Sequence, residues 1–162
     1  MELILEKEND IFIARHKKDV LFTLKQVATI PTRKKYIVQN ESGFELGKIR
    51  KLRNNFGMVD LPQYYISVEG HEEVSIIKVM EQFKIKYKID SKTLTLNGDF
   101  LKNEFNLLIN NIHVAHVEVI KKENSEFSFH ILISNEDYNH LIISFMFAIS
   151  LVYQDEQSSL RV

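Results

Sequence analysis

His113 and His116 in "HVAHVE" are of the residue type that holds zinc and its neighbours, since an imidazole nitrogen is a ready metal ligand. On a regular strand, positions three apart project to opposite faces, so this spacing is expected to keep the two rings from sharing an ion. His116 and Glu118 do share a face, but two ligands without a third make no site. His71 in "EGHEE", beside Glu69, Glu72 and Glu73, sets an imidazole among carboxylates that could do acid–base work, in a stretch that reads better as a solvated hairpin tip. His130 follows Phe127 and Phe129 in strand alternation and is expected to face outward. The chain has no Cys, which excludes disulfides, thiolate metal sites and cysteine nucleophiles. No P-loop, Gly-rich dinucleotide turn, "HExxH" or "GxSxG" occurs, and Gly98-Asp99 is turn chemistry. No catalytic residue, cofactor or metal site is expected.

Cations are the other chemistry on offer. Residues 31 to 53 hold Arg33, Lys34, Lys35, Lys48, Arg50, Lys51 and Arg53 against Glu41 and Glu45, a local charge of +5 in a chain of net charge −1. Clustered cations attract phosphates, each contributing roughly 1 kcal/mol near an anionic surface. Arg33, Lys34, Lys35, Lys48 and Arg50 are therefore the candidate ligand residues for an anionic phospholipid headgroup; the alternative is a solvated, salt-bridged outer face. Strand alternation puts Lys48 and Arg50 on one face and Lys51 and Arg53 on the other. A packed interior cannot take the second pair, so a bulge or strand end is expected near Gly47 to Lys51, leaving at most four or five of the seven cations on one wall. The near-neutral total charge argues against specific nucleic-acid binding.

The elements that position these residues are mostly strands. Alternation of apolar and polar residues recurs in about twelve short segments, from "LILEK" and "IFIAR" near the start to "HVAHVEVI" and "EFSFHILI" near the end. In "FKIKYKI", Phe83, Ile85, Tyr87 and Ile89 form one face and Lys84, Lys86 and Lys88 the other, the pattern of a half-buried strand with a wet outer face. Connections of a few residues imply an antiparallel meander. So many strands must curl or close, because an open sheet of that width leaves an apolar face uncovered. "RNNFGMVDLP" is the one long connection.

"HLIISFMFAISLVY", residues 140 to 153, breaks the period-two rhythm. Asn135 or Asp137 offers an N-cap, with Glu136 and Asp137 where the helix dipole favours anions. A helix apolar on every side is buried in a large core or in a membrane. Fourteen residues span roughly 21 Å, short of the ~30 Å hydrocarbon core, so no transmembrane segment is expected. A barrel of eleven or twelve strands has room for one central helix. The prediction is a single domain over residues 1–162, a closed, roughly twelve-stranded antiparallel barrel enclosing a helix at about 137–153. A lumen plugged in this way should leave no deep pocket.

Two stretches then carry a resemblance: "YKIDSKTLTLNGDFLKNEFNLLINNIHVAHV" (87–117) and "FSFHILISNEDYNHLIISFMFAISLVYQD" (127–155). Their order of a Gly-Asp turn, a Phe-centred strand, a hairpin into "VA-V" and an acidic start to the final helix resembles the LURP-one-related group, within the tubby-like barrels. The motifs are structural, so the resemblance implies a fold and not an activity. Tubby-like relatives in eukaryotes hold phosphoinositide headgroups with basic residues on the barrel wall, but no motif here aligns with those residues. The expected function is a non-catalytic binding module with a protein partner; the alternative is a peripheral membrane module using the basic hairpin. "MELILEKEND" lacks the basic start and apolar stretch of a secretory signal, so a cytoplasmic location, peripheral at the membrane in the alternative, is expected.

Overall fold

The computed structural model describes residues 1–30, 32–53, 55–56 and 59–159. Its strands are β1 (Glu2–Glu8), β2 (Ile11–His16), β3 (Asp19–Ile30), β4 (Arg33–Asn40), β5 (Glu45–Leu52), β6 (Asn55–Phe56), β7 (Val59–Asp60), β8 (Gln63–Ser67), β9 (Val74–Glu81), β10 (Lys84–Asp90), β11 (Leu94–Gly98), β12 (Glu104–Ile109), β13 (Ile112–Lys121) and β14 (Phe127–Ile133). One turn of 3-10 helix (Glu136–Tyr138) leads into α1 (Asn139–Ser159).

Twelve strands join one antiparallel sheet in the order β10-β9-β8-β5-β4-β3-β2-β1-β14-β13-β12-β11. All twelve expected segments are there. The long connection adds a miniature hairpin, β6–β7, of its own. The sheet wraps into a nearly closed barrel because β1 pairs with β14, Glu2 standing opposite Leu132. The amino terminus donates to the Ile133 carbonyl at 2.9 Å and extends that ladder. Tight turns drive the meander: Asn9-Asp10 and Asn110-Asn111 both take left-handed φ values, the conformation that two-residue hairpins require.

Alternation fixes what enters the barrel. Leu3 and Leu5, Val38 with Ile49, Phe105 with Leu107, and Phe129 with Ile131 all point inward and are buried. They close around α1, whose Ile142, Ile143, Phe145, Met146, Phe147, Ala148 and Ile149 are each 0% exposed. Burying each of the larger side chains contributes about 1.5–3 kcal/mol, so strands and helix each cover the apolar face the other cannot leave wet. Asn135 accepts from the Asp137 backbone N–H at 3.1 Å, which starts the turn before the helix. Ser150 donates back to the Met146 carbonyl at 2.9 Å, satisfying its hydroxyl within the helix. The helix runs to Ser159, beyond the apolar stretch, and its added turns carry Gln154, Asp155 and Glu156. Among the described residues, no helix is long and apolar enough to cross a membrane.

Candidate functional site at the barrel seam

β10 and β11 end the strand order, and no ladder joins them although only Ser91, Lys92 and Thr93 separate them in sequence. The Ser91 hydroxyl accepts from the Thr93 and Leu94 backbone N–H groups at 3.2 and 2.9 Å, which fixes this turn. An open cleft of about 1460 Å³ lies along the seam, walled by Ile85, Ile89, Leu94 and Leu96 and floored by charged groups. The expectation of no deep pocket is therefore corrected. The apolar part of α1 stops at Tyr153, and the polar turn after it leaves the barrel end unfilled. Phe100 lines the cleft, packed edge-on against Tyr87 at 5.8 Å, its carbonyl accepting from the Tyr153 hydroxyl.

The inner face of β10 is accordingly not packed as its pattern predicts. Phe83 lies wholly exposed in a turn at φ 65°, and Ile85 is 52% exposed. Tyr87 and Ile89 are half-buried. With no strand on the side away from β9 and only the polar turn of α1 reaching Tyr87, the apolar side of this strand becomes a cleft wall.

Two matching units floor the cleft. Lys51 of β5 stands directly opposite Tyr64 of β8, and Lys78 of β9 directly opposite Tyr87 of β10. Lys51 pairs with Asp155 at 2.6 Å and the Tyr64 hydroxyl donates to the same carboxylate. Lys78 pairs with Glu156 at 2.7 Å and the Tyr87 hydroxyl donates there. Each ammonium also lies over its tyrosine ring, at 5.8 and 5.6 Å. Burial, the largest influence on Glu156, pushes its carboxyl up, but hydrogen bonds from Lys78 and Tyr87 outweigh it and hold the group below its ordinary range. Burial and then the Asp155 charge push the Tyr36 phenol up to about 12. The same two causes raise Tyr64, and burial and the Glu156 bond raise Tyr87.

The basic hairpin divides between two surfaces. Arg33, Lys35, Lys48 and Arg50 lie on the outer wall, with Lys35 directly opposite Arg50. Lys34 and Lys51, also opposite one another, line the cleft together with Arg53. The expected bulge exists but sits at Leu46, ahead of Gly47–Lys51, through which β5 alternates without a break. Lys51 thus does turn inward, against the expectation that the interior could not take it. The barrel end is polar there, and Asp155 compensates the charge. Arg53 lies past the end of β5 and pairs with Asp60 at 2.9 Å. On the outer wall Lys48 pairs with Glu45 at 3.6 Å, and Arg50 pairs with Glu73 at 3.2 Å while stacking 5.0 Å above Tyr65. Arg33 and Lys35 form no ion pair among the described residues.

The sequence reading also missed a β-bulge in β13. The register jumps from Leu107–Ala115 to Leu108–His113, leaving Val114 as the extra residue. Val114 and Ala115 are both buried, so His113 and His116 come to the same outer face. Both contact Asn106, at 3.0 and 2.8 Å, which corrects the expected separation. Nothing in "HVAHVE" distinguishes a bulge from plain alternation, apart from the two consecutive small apolar residues. His130 is on the outer face, as its alternation predicts.

Neither a search of the curated proteins nor one of the solved structures finds a match to this chain. A family model described as LURP-one-related does match, over residues 4–153, which takes in β1 from Ile4 onward, every later strand and the whole buried part of the helix, and the chain belongs to the LURP-one-related family.

Proposed function

We propose that the protein is a non-catalytic binding module whose seat is the seam, where an extended acidic segment of a partner protein adds alongside β10. The observation that carries this reading is the free edge of β10 itself. Its main-chain groups face no neighbouring strand, its Ile85 is half-exposed, and Lys84, Lys86 and Lys88 alternate along its outer side. Main-chain pairing along an exposed edge gives affinity and alternate side chains give selectivity. A row of lysines discourages two identical edges from pairing, while it suits a partner with acidic residues at every second position. Glu81 contacts Lys86 at 3.6 Å and also Lys88, leaving the edge positive overall. Asp155 and Glu156 are each engaged by a lysine and a tyrosine, an arrangement suited to holding shape rather than to proton transfer.

Capture from native extract, with the full chain as bait, tests the proposal. One partner should be retained by the wild-type protein and lost by Ile85→Arg and by Lys84→Glu/Lys86→Glu/Lys88→Glu at unchanged melting temperature. Partner binding should slow hydrogen exchange along β10. A partner held equally by all three proteins would place its seat elsewhere.

A second reading has its own support. On the β3–β4 hairpin, Val27 and Ile30 are 46% and 61% exposed beside Arg33 and Lys35, which combines apolar side chains with cations as peripheral membrane attachment does.

A further inference from the structure

We propose that Glu104, His116 and Glu118 form a binding site for a divalent first-row transition ion, with Zn²⁺ as its reference occupant. The site is independent of the seam and stands on the outer face of β12 and β13. The imidazole Nε2 of His116 lies 3.5 Å from Glu104 Oε2 and 3.8 Å from Glu118 Oε1. One ligand atom from each of the three residues lies within 4.8 Å of the others. A tetrahedral ion with bonds of about 2.0–2.1 Å has ligand–ligand edges of roughly 3.3–3.4 Å. Both imidazole–carboxylate edges are within a few tenths of an ångström of that value. The third edge closes by rotation of two exposed glutamate side chains.

The surroundings prepare the imidazole for this role. His116 Nδ1 donates to Asn106 Oδ1 at 2.8 Å, which leaves the Nε2 lone pair directed at the two carboxylates. Asn106 is held in turn by His113 Nε2 at 3.0 Å, and His113 Nδ1 lies 3.2 Å from the Ser134 hydroxyl, which donates to the His113 carbonyl. This chain exists because the bulge at Val114 brings His113 to the outer face. A further observation points to a cation. Glu104 and Glu118 are directly opposite across the β12–β13 ladder, a like-charge pairing that costs stability unless positive charge lies between them. His130 faces the other oxygen of Glu118 from 4.0 Å and is anchored by Glu2, so Glu118 Oε1 remains for the ion. One imidazole with two carboxylates selects zinc and its neighbours over Mg²⁺ or Ca²⁺, which prefer oxygen alone. The exposed fourth position is taken by water.

Calorimetric titration of the chelator-treated full chain with zinc chloride tests this. One Zn²⁺ should bind per chain and raise the melting temperature, and Co²⁺ should give the intense visible bands of a four-coordinate ion. His116→Ala and Glu118→Gln should abolish both, and Asn106→Ala should weaken binding about 10–100-fold by releasing the ring. His71→Ala, in a distant turn, should leave binding unchanged. Circular dichroism checks that each variant keeps its fold. Absence of saturable binding up to about a thousandfold excess of zinc, or binding unaltered in both His116→Ala and Glu118→Gln, would overturn the proposal.

Discussion

Lys51 reaches Asp155 across 2.6 Å from a strand position that barrel alternation turns inward, so the last polar turn of α1 holds the charge that β5 brings into the barrel. The Lys51 side chain keeps only 8% of its exposure and that of Asp155 keeps 26%. Asp155→Ala leaves a buried ammonium and the Tyr64 hydroxyl without their acceptor. It should cost about 2–4 kcal/mol, below the fully buried case because Asp155 is partly wet. Lys51→Met/Asp155→Leu removes both charges and should cost clearly less than the single change. Urea unfolding of the three proteins measures the difference; a double variant as unstable as Asp155→Ala would contradict the ion-pair account.

At Gly47, β5 lies close against the helix. A Cβ there would overlap Ser144 Oγ and stand 3.2 Å from Ser144 Cβ and from Val68 Cγ2. Ser144 Oγ is itself buried with no hydrogen-bond partner among the described residues. Gly47→Ala should therefore destabilise by about 1–3 kcal/mol through overpacking. Ser144→Ala should be neutral or stabilising, since it deletes an unsatisfied hydroxyl. In the Ser144→Ala background the cost of Gly47→Ala should fall, a non-additivity that thermal unfolding reads directly.

Strand rhythm and the unbroken apolar face of "HLIISFMFAISLVY" made the barrel and its central helix legible, because burial imposes periods of two and of none on those segments. The seam was not. "FKIKYKI" has the pattern of a half-buried strand, and no local signal says that its neighbour is absent. Lys51 read as excluded from the interior because its compensating charge lies 104 positions later, on a helix turn that continues past the apolar run. The bulge at Val114 likewise follows from pairing with β12 and not from the composition of β13. Charge partners and register belong to tertiary structure, and they decide which face a site occupies.

Stability should fall off at both ends of the pH range for nameable reasons. The Glu156 carboxyl lies below its ordinary value of 4.5 in the folded chain, against the push of burial, because Lys78 and Tyr87 bond its ionised form. A depressed carboxylate contributes stability above the ordinary value and loses it as pH falls through the folded one. Glu156→Gln should thus flatten the acid limb of a urea-midpoint profile. At the alkaline end the Tyr36 phenol is raised from 10.0 to about 12, first by burial and then by Asp155. Its contribution is complete below pH 10 and disappears as pH rises through 12. Ultraviolet absorbance of tyrosinate should rise together with unfolding. Ionisation of all six tyrosines near pH 10 in a still-folded protein would contradict the burial argument.

The outer wall gives a final prediction, in which structure selects the residues that matter. Arg50 and Lys48 are engaged by Glu73 and Glu45, whereas Arg33 and Lys35 form no ion pair among the described residues and flank the exposed Val27 and Ile30. These two cations contribute about 1 kcal/mol each near an anionic surface, so vesicle binding should be weak and should fall steeply as salt shortens the Debye length. In co-sedimentation, phosphatidylserine-containing vesicles should retain the protein at low salt and phosphatidylcholine vesicles should not. Arg33→Glu/Lys35→Glu should abolish retention, and Arg50→Glu should reduce it less, because Glu73 already offsets that charge. Val27→Asp/Ile30→Asp should remove whatever binding survives high salt, since that part comes from apolar insertion. Retention insensitive to salt and to Arg33→Glu/Lys35→Glu, or no retention at low salt, would mean that the hairpin is a solvated wall.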